Sequence, residues 1–328
     1  MAESNRLHGV LVIDKAMGPT SHDVVARLRR VLGTRAIGHA GTLDPAATGV
    51  LVVAVGEATK LSPYLAAQTK EYLATVTFGT STTTLDAEGD VVARAPIPDD
   101  LAAELARLTS IDAGQGTPAS PVEEVAPRVA RALEVERARD QQVPPAFSAI
   151  KMAGRAAHEL ARRGEDVLLA PRPVAVSRIA ATGATATTLG LLLAVSKGYY
   201  VRALARDLGL TLGVPAHLSS LRRVASGTFN LDEALPWSAP RADLEQAMHT
   251  VERAALRVLP SSRLSEEGLR RARHGQPLEL DHFADASTAV LSAWLGPDGV
   301  LIAIGRRSAE AGFTVERGFN YPTSTSST

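Results

Sequence analysis

The sequence predicts an α+β fold on three observations. The run "GVLVVAVG" at residues 49–56 is apolar throughout and bounded by glycines, which is typical of a strand buried on both faces. The stretch "KEYLATVTFGTSTTTLDAEGDVVA" from Lys70 alternates and is rich in Thr and Val, which indicates strands broken by a polar turn at Asp86 to Asp90. Other segments place apolar residues at a helical period, so helices are predicted to flank the strands.

The elements follow in a mixed order along the chain. "HGVLVIDK" predicts a strand, a Gly-Pro turn comes next, and Ser21 is the predicted N-cap of a helix. Later helices are predicted at 98–108, in the second half of 111–140, from about residue 155, and in "LSEEGLRRARHGQPLEL". "TTLGLLLAVSKGYYVRALARDLGLTLG" predicts a strand, a basic and aromatic turn, and a helix that stops at Gly209 or Gly213.

The length of 328 residues is sufficient for two domains. A boundary is predicted near 240–258, with residues 1–250 as the larger domain and 251–320 as a small, mostly β domain. In the small domain, "AVLSAWLGPDGVLIAIG" predicts two strands around a turn. Residues 111–140 begin with small residues and prolines and are predicted to be an insertion, and 321–328 are predicted to be a disordered tail.

Composition excludes several classes of function. The apolar fraction of 45% and the charged fraction of 21% are those of a globular protein. The absence of cysteine excludes disulfides, thiolate catalysis and zinc sites built on sulfur. The histidines are scattered, so no metal site is predicted. No apolar run approaches the ~18 residues of a membrane span, and the N-terminus has no long apolar segment, so we expect a cytoplasmic protein.

Charge is unevenly distributed. The formal net charge is zero, which argues against a protein that binds nucleic acid through phosphates over its whole surface. The stretch from Ser196 to Arg223, however, carries one acid, Asp207, against a set of cations: Lys197, Arg202, Arg206, Arg222 and Arg223. The sequence therefore predicts a local basic patch.

Asp44 lies in "IGHAGTLDPAATGVL", between Gly41 and Gly49, and has two interpretations. Asp-Pro initiates turns and Gly49 ends one, so the aspartate fits a structural turn. The residues around it are small, which leaves room for a ligand to approach the backbone. A carboxylate held on such a loop can act as a base, a nucleophile or the partner of a cation.

Aromatic residues offer a second candidate site. In "SKGYYVR", Lys197 and Arg202 flank Tyr199 and Tyr200, and aromatic faces next to cations suit stacking on an unpaired base with phosphate contacts beside it. The alternative is a core tyrosine next to a surface charge. Tyr72 opens a strand and fits either a half-buried strand aromatic or a platform for a base. Lys151 and the "LRR" of 221–223 fit a solvated surface, the latter at the end of an amphipathic helix.

Together these motifs resemble the bacterial tRNA pseudouridine-55 synthases, the TruB family, which isomerise a uridine in the T-arm loop of tRNA. The resemblance rests on "GHAGTLDPAATGVL" with "GEATKL", "KEY", "QVPPAFSAIK", "SKGYYVRALARDLG" and "AHLSSLRR", in the family's order. It implies a mixed, largely antiparallel pseudouridine-synthase sheet flanked by helices. It also implies that the C-terminal β-rich region is a PUA-like RNA-binding domain, that tRNA is the substrate, and that no cofactor is needed.

The resemblance also implies roles for single residues. Asp44 matches the catalytic aspartate, which attacks the sugar at C1′ or adds to the uracil ring, and both routes stay open. Arg202 matches the arginine that pairs with this aspartate, and Tyr72 the tyrosine that stacks on the target base and moves a proton. The predicted substrate-binding residues are His39, which helps hold the base flipped, Tyr200, Leu221, Lys15, Lys60, Lys151, Lys197, Arg222 and Arg223. Lys15 and Lys60 have two predicted roles, support of the fold or phosphate binding.

The sequence departs from the family's pattern at three positions, Ala16, Ala40 and His158, and none of them is a predicted catalytic residue. A monomer without an obligatory protein partner is expected. The alternative functions are a subunit that depends on a guide RNA, a tRNA-folding chaperone with secondary catalysis, and a small-molecule enzyme whose "LDP" turn is a coincidence.

Overall fold

The computed structural model describes residues 7–108, 122–148, 150–152, 155–163, 165 and 167–321. They form two compact units. Unit one contains the described residues of 1–45, 49–68 and 226–328, and unit two those of 46–48 and 69–225. The first half of the predicted insertion and the predicted tail beyond 321 lie outside the described residues.

The strands in chain order are β1 (Gly9–Lys15), β2 (Ile37–His39), β3 (Thr48–Val55), β4 (Lys70–Phe78), β5 (Thr80–Thr82), β6 (Val91–Arg94), β7 (Gln141–Gln142), β8 (Lys151–Met152), β9 (Arg155–Ala156), β10 (Arg172–Pro173), β11 (Val176–Ala184), β12 (Thr188–Val195), β13 (Ala216–Ser226), β14 (Phe229–Asn230), β15 (Leu235–Pro236), β16 (Ser261–Leu264), β17 (Phe283–Asp285), β18 (Leu291–Leu295), β19 (Leu301–Ser308) and β20 (Gly312–Gly318). The α-helices are α1 (Ser21–Leu32), α2 (Ser62–Ala66), α3 (Asp99–Leu108), α4 (Val122–Val125), α5 (Pro127–Arg137), α6 (Ala157–Arg162), α7 (Val201–Leu212), α8 (Arg241–Gln246), α9 (Val251–Leu256) and α10 (Glu266–Arg273).

The first strands of unit one form its central layer. β1 pairs antiparallel with β3, with Lys15 opposite Gly49, and parallel with the short β15. β2 pairs with the other edge of β3, where His39 lies opposite Val53. β3 is buried from Gly49 to Val55, which confirms the predicted strand buried on both faces. The sheet is thus mixed and largely antiparallel, as predicted.

The C-terminal part of unit one is rich in strands, as predicted. Its five-stranded sheet has the order β17-β16-β18-β19-β20, and β18 and β19 are the predicted strands around the Gly-Pro-Asp-Gly turn. Trp294 is fully buried against Phe283 and Phe313. Gly305 permits this packing, because a Cβ there would lie 1.8 Å from the indole ring.

Unit one has a second apolar cluster that joins its two sheets. Ala293, Leu301 and Ile304 of the C-terminal sheet pack in one cluster with Val10 and Val52 of the N-terminal strands. Burial of these side chains is the main stabilising contribution at this contact. The division into domains at 250 and 251 stays a prediction.

Unit two is built on a sheet with the order β11-β12-β4-β13. β12 pairs antiparallel with β4 along its whole length and with β11 from Leu189 to Val195, the latter with two irregularities in register. Helices α5 and α7 contribute Val129, Leu204 and Leu208 to a core that includes Leu191 and Leu193 of β12. This packing confirms strands flanked by helices.

Three local predictions are decided by the structure. The N-cap of α1 is Thr20, one residue before the predicted Ser21, because the Thr20 hydroxyl accepts the Asp23 N–H and the Asp23 side chain accepts the Thr20 N–H. Helix α7 stops at Gly213, which has a left-handed φ of 71°. The interpretation of 221–223 as a helix end is wrong, because these residues lie in the middle of β13.

Glu233 connects the chain around β14 to α9 in unit one. Arg257 donates to both carboxylate oxygens of Glu233 at 2.6 Å and lies over the Phe229 ring at 3.9 Å. Burial disfavours the charged carboxylate, but hydrogen bonds from Arg257 and from the Asn230 N–H outweigh it and hold the pKa of Glu233 below its ordinary value.

We expect Glu233→Gln to lower the free energy of unfolding at pH 7 by about 1–2 kcal/mol, because the charged hydrogen bonds are lost and solvent partly screens them. A carboxylate with a lowered pKa in the folded state stabilises the protein above its unfolded pKa of about 4.3 and loses this contribution as the pH falls further. Urea unfolding at pH 7 and at acidic pH measures the difference in the free energy of unfolding between wild type and Glu233→Gln. This difference should shrink below about pH 4. Glu245→Gln, which removes a more exposed ion pair with Arg241, is the control and should change little. A difference that does not depend on pH would contradict this account.

Candidate functional site

The loop that carries Asp44 is bounded by two glycines with left-handed backbones, Gly41 with φ 120° and Gly49 with φ 100°. Residues with a Cβ rarely adopt these angles, so the glycines set the path of the loop. The backbone of Leu43 is fixed from one side, because its N–H donates to the Ser21 hydroxyl at 2.9 Å and its carbonyl accepts from the same hydroxyl at 3.1 Å. Asp44 itself is half-buried.

Lys15 fixes the loop on the other side of Asp44. The Lys15 Nζ donates to the carbonyls of Ala16, Pro19 and Pro45 at 2.9, 2.8 and 3.1 Å, and the Gly18 N–H donates to the Pro45 carbonyl at 3.0 Å. Lys15 is 0% exposed. Of its two predicted roles, support of the fold fits this position, and the substrate-binding role stays a prediction.

Lys60 also has contacts within unit one. Its Nζ donates to the Glu57 carboxylate at 2.7 Å and to the Gly318 carbonyl at 2.9 Å, and it lies 5.7 Å from the centre of the Phe319 ring. These contacts connect β20 to the turn after β3. They fit the predicted support of the fold.

His39 ends β2, close to the loop of Asp44. Its ring meets the His22 ring edge-on, with centroids 5.3 Å apart. His39 is half-buried and His22 is exposed at the start of α1. The predicted role of His39 in holding a flipped base stays a prediction.

In unit two, Arg202 is 8% exposed at the start of α7. Its guanidinium donates to the Thr84 carbonyl at 3.0 Å and to the Phe147 carbonyl at 2.9 Å, and lies 3.5 Å from the Asp86 carboxylate. Leu85 has a left-handed φ of 63°, and this turn directs the Thr84 carbonyl and the Asp86 carboxylate toward the same nitrogen. Sequence reasoning missed Asp86, which was assigned only to a polar turn.

The two tyrosines of "SKGYYVR" have different environments. Tyr199 is buried, and this burial, together with the nearby Glu136 carboxylate, raises the pKa of its phenol. The interpretation of both rings as stacking faces is therefore wrong for Tyr199. Tyr200 is half-buried, and its backbone N–H and carbonyl bond to the side chain of Gln142. Gln142, which the motif "QVPPAFSAIK" contains, had no predicted role.

Tyr72 lies on β4 next to two buried cations. The Arg223 guanidinium lies 5.7 Å from the centre of the Tyr72 ring, within the range of a cation–π contact. Arg223 is 1% exposed, so its predicted place in a surface patch is wrong. Burial, followed by the charges of Arg223 and Lys197, lowers the pKa of Lys70 to about 8. Lys70 was part of the "KEY" motif without a predicted role.

The other predicted site residues of unit two lie in different settings. Lys197 is exposed in the turn before α7. Arg222 is half-buried and donates to the Thr48 hydroxyl at 3.3 Å, and Leu221 packs partly buried against the core. Lys151 begins β8, and its side chain lies outside the described residues.

The described part of the chain contains no group of three or more His, Asp or Glu side chains arranged to hold a metal ion. In the same residues, none of the helices combines the length and the apolar character that crossing a membrane requires.

Family models match most of the chain. The model described as TruB family pseudouridylate synthase, N-terminal domain, matches residues 29–111 and 113–201. The model of the tRNA pseudouridylate synthase B C-terminal domain matches residues 202–260.

Curated relatives carry one common name, tRNA pseudouridine synthase B. The protein of Mycobacterium sp. (strain KMS) is 41% identical over 90% of this chain and 91% of its own length. That of Nocardia farcinica is 43% identical over 91% and 89%, and that of Rhodococcus jostii 48% identical over 69% and 68%.

Solved structures show the same fold at lower identity. A chain of a Cbf5-Nop10-Gar1 complex aligns with a TM-score of 0.68 and 24% identity over 95% of this chain and 84% of that one. A chain of an archaeal box H/ACA Nop10-Cbf5 complex aligns with a TM-score of 0.65 and 22% identity over 98% and 90%.

We expect Lys15→Met to lower the free energy of unfolding by about 1–3 kcal/mol, because the apolar side chain leaves buried carbonyls without their donor. Lys60→Met is the matched control, since its ammonium is partly exposed and water can replace it at the carbonyl. Urea unfolding of the two variants measures the difference. Equal losses in both would show that burial of the Lys15 ammonium is not what stabilises the loop.

Proposed function

The chain belongs to the TruB family of pseudouridylate synthases, and we propose that it converts a uridine in the T-arm loop of tRNA to pseudouridine. The observation that carries the proposal is the fixed backbone on both sides of Asp44. Ser21 bonds Leu43 and Lys15 bonds Pro45, so the carboxylate between them is held in a defined place. Such positioning is a large part of what an enzyme contributes to a nucleophilic or electrostatic step.

The proposed reaction breaks the N1–C1′ glycosidic bond, turns the uracil, and joins its C5 to C1′. C5 then loses its proton and N1 gains one, so the overall change is an isomerisation. Asp44 is the proposed catalytic residue, by attack at C1′ or by addition to the ring. Both routes need the uridine to leave its stack, which costs a few kcal/mol. Small residues around Asp44 leave space for the flipped nucleotide, and His39 at the end of β2 is the proposed support for its extrusion.

Residues of unit two are proposed to receive the base and the RNA backbone. Tyr72 and Tyr200 are half-buried, and an aromatic ring with one open face suits stacking on uracil. Leu221 is the proposed apolar residue that lines the uracil site. Arg202 is the proposed partner of the catalytic carboxylate, and the carbonyls that accept its hydrogen bonds fix its guanidinium in advance.

The enzyme is proposed to act on tRNA alone, without a guide RNA, a cofactor or an obligatory protein partner, as a cytoplasmic monomer. The relatives named tRNA pseudouridine synthase B support the choice of tRNA. The C-terminal strands of unit one are proposed to form a PUA-like domain that contacts the same tRNA. Incubation of the purified protein with a bare T-arm transcript separates this proposal from a guide-dependent subunit.

We expect Asp44→Asn to abolish pseudouridine formation while tRNA still binds, because the amide has no negative charge to offer the sugar or the ring. Pseudouridine mapping of a tRNA transcript measures the reaction, and filter binding measures the affinity. Asp285→Asn removes an exposed carboxylate at the end of β17 and is the control with wild-type activity. Conversion by Asp44→Asn at the wild-type rate would refute the role of this residue.

We expect Lys197→Ala to weaken tRNA binding and to reduce the salt dependence of log Kd by about one phosphate contact. Lys197 is exposed in the basic turn, whereas Arg223 is excluded from this surface by its burial. Titrations at several salt concentrations measure the slope. Arg94→Ala removes an exposed cation on β6, outside the predicted patch, and should leave the slope unchanged. An unchanged slope for Lys197→Ala would place the phosphate contacts elsewhere.

A further inference from the structure

We propose that Gln142 is a positioning residue, which fixes Tyr200 in the place where it receives the target base. The inference rests on the proposed function for the role of Tyr200. It assigns a task to a buried glutamine that is far from Tyr200 in sequence and has no part in the chemical step.

The contact between Gln142 and Tyr200 is a two-point clamp on the backbone. Gln142 Oε1 accepts the Tyr200 N–H at 2.8 Å, and Gln142 Nε2 donates to the Tyr200 carbonyl at 3.2 Å. Gln142 is 1% exposed, so water does not compete for these bonds. A primary amide matches the N–H and C=O of one residue at the same time, as a neighbouring strand would.

Tyr200 stands where the backbone passes from the turn into α7, and its carbonyl also accepts the Leu204 N–H at 3.1 Å. It is the N-cap of α7 with an extended backbone, φ −109° and ψ 110°, and its side chain makes no capping hydrogen bond. Gly198, two residues earlier, has a left-handed φ of 84° and permits a wide range of backbone angles. The clamp therefore fixes, together with the first hydrogen bond of α7, the backbone of the residue that carries the Tyr200 ring.

The same segment holds the first turns of α7 at two further points. The Phe147 carbonyl accepts from Arg202 at 2.9 Å, and the Val143 carbonyl accepts from Arg206 at 3.0 Å. Pro144 and Pro145 between them are buried and stiffen the segment. Residues 142–147 thus form one segment that contacts both Tyr200 and Arg202, and Gln142 makes the first of these contacts.

Three variants test the inference. Gln142→Met keeps the length of the side chain and removes both hydrogen bonds. Gln142→Glu keeps the acceptor for the Tyr200 N–H and turns a carboxylate oxygen toward the Tyr200 carbonyl. Gln141→Met is the matched control, because Gln141 is the exposed neighbour of the same residue type.

The first measurement is the single-turnover rate of pseudouridine formation on a tRNA transcript with enzyme in excess. We expect Gln142→Met to lower this rate by about tenfold to a hundredfold, since small displacements of positioned groups cost that much. The affinity for tRNA should stay within about threefold, and Gln141→Met should match the wild type. A wild-type rate for Gln142→Met would overturn the inference.

The second measurement separates positioning from a general loss of structure. In Gln142→Glu, a protonated carboxylic acid can donate to the Tyr200 carbonyl and accept its N–H, as the amide does, whereas the ionised form cannot. Burial raises the pKa of such a carboxyl above the ordinary value of about 4.3. The rate of Gln142→Glu relative to wild type should therefore rise as the pH falls from 8 to 5.5, and that of Gln142→Met should not. A flat ratio for Gln142→Glu would overturn the inference.

The third measurement does not require activity. Hydrogen exchange of the Tyr200 amide should be faster in Gln142→Met than in wild type, and unchanged in Gln141→Met. Unchanged exchange in Gln142→Met would show that no clamp exists. If wild-type protein fails to modify tRNA while exchange responds as expected, the proposed function is wrong and the clamp is not.

Discussion

The constraint on which unit one depends most is the burial of the Lys15 ammonium. A buried charge without polar partners is very costly, and this one is compensated by carbonyls of Ala16, Pro19 and Pro45. The carbonyls belong to two segments that are separated by α1 and β2. Movement of the loop of Asp44 away from the end of β1 would separate the ammonium from the Pro45 carbonyl, and the loss of this hydrogen bond opposes such movement.

In unit two, Arg202 likewise holds loops in place by donating from a buried cation to backbone carbonyls. Its guanidinium bonds the carbonyls of Thr84 and Phe147, which lie in two loops on either side of α3 and α5 in the sequence. Arginine suits this task because its planar fork presents several donors in fixed directions. Both units thus hold their loops with long cationic side chains that face backbone carbonyls. A formal net charge of zero therefore says little about the charge of the protein's surface, because several of its cations are buried.

The sequence predicts those parts of the fold that depend on local patterns. The apolar β3, the hairpin of β18 and β19, and the end of α7 at Gly213 follow from residues next to each other in the chain. Local sequence does not determine whether a cationic side chain is buried. "LRR" at 221–223 has the composition of a helix end, but β13 places Arg223 in the interior against Tyr72. Likewise, adjacent Tyr199 and Tyr200 differ in burial because the turn before α7 directs one ring into the core. The order of the motifs predicts the site residues. The residues that hold them in place, Ser21, Asp86 and Gln142, are identified by contacts between distant segments of the chain.

The environment of Tyr72 shows how these buried cations bear on function. Lys70 and Tyr72 are two apart on β4 and therefore share a face of the sheet, and Arg223 on the adjacent β13 lies over the tyrosine ring. Burial, followed by the charges of Arg223 and Lys197, lowers the pKa of Lys70 to about 8. The tyrosine ring thus has a guanidinium on one side, and its electron-rich face is partly neutralised there. In the proposed reaction, a uracil stacked on the other face of Tyr72 would meet a ring whose orientation this guanidinium helps to hold.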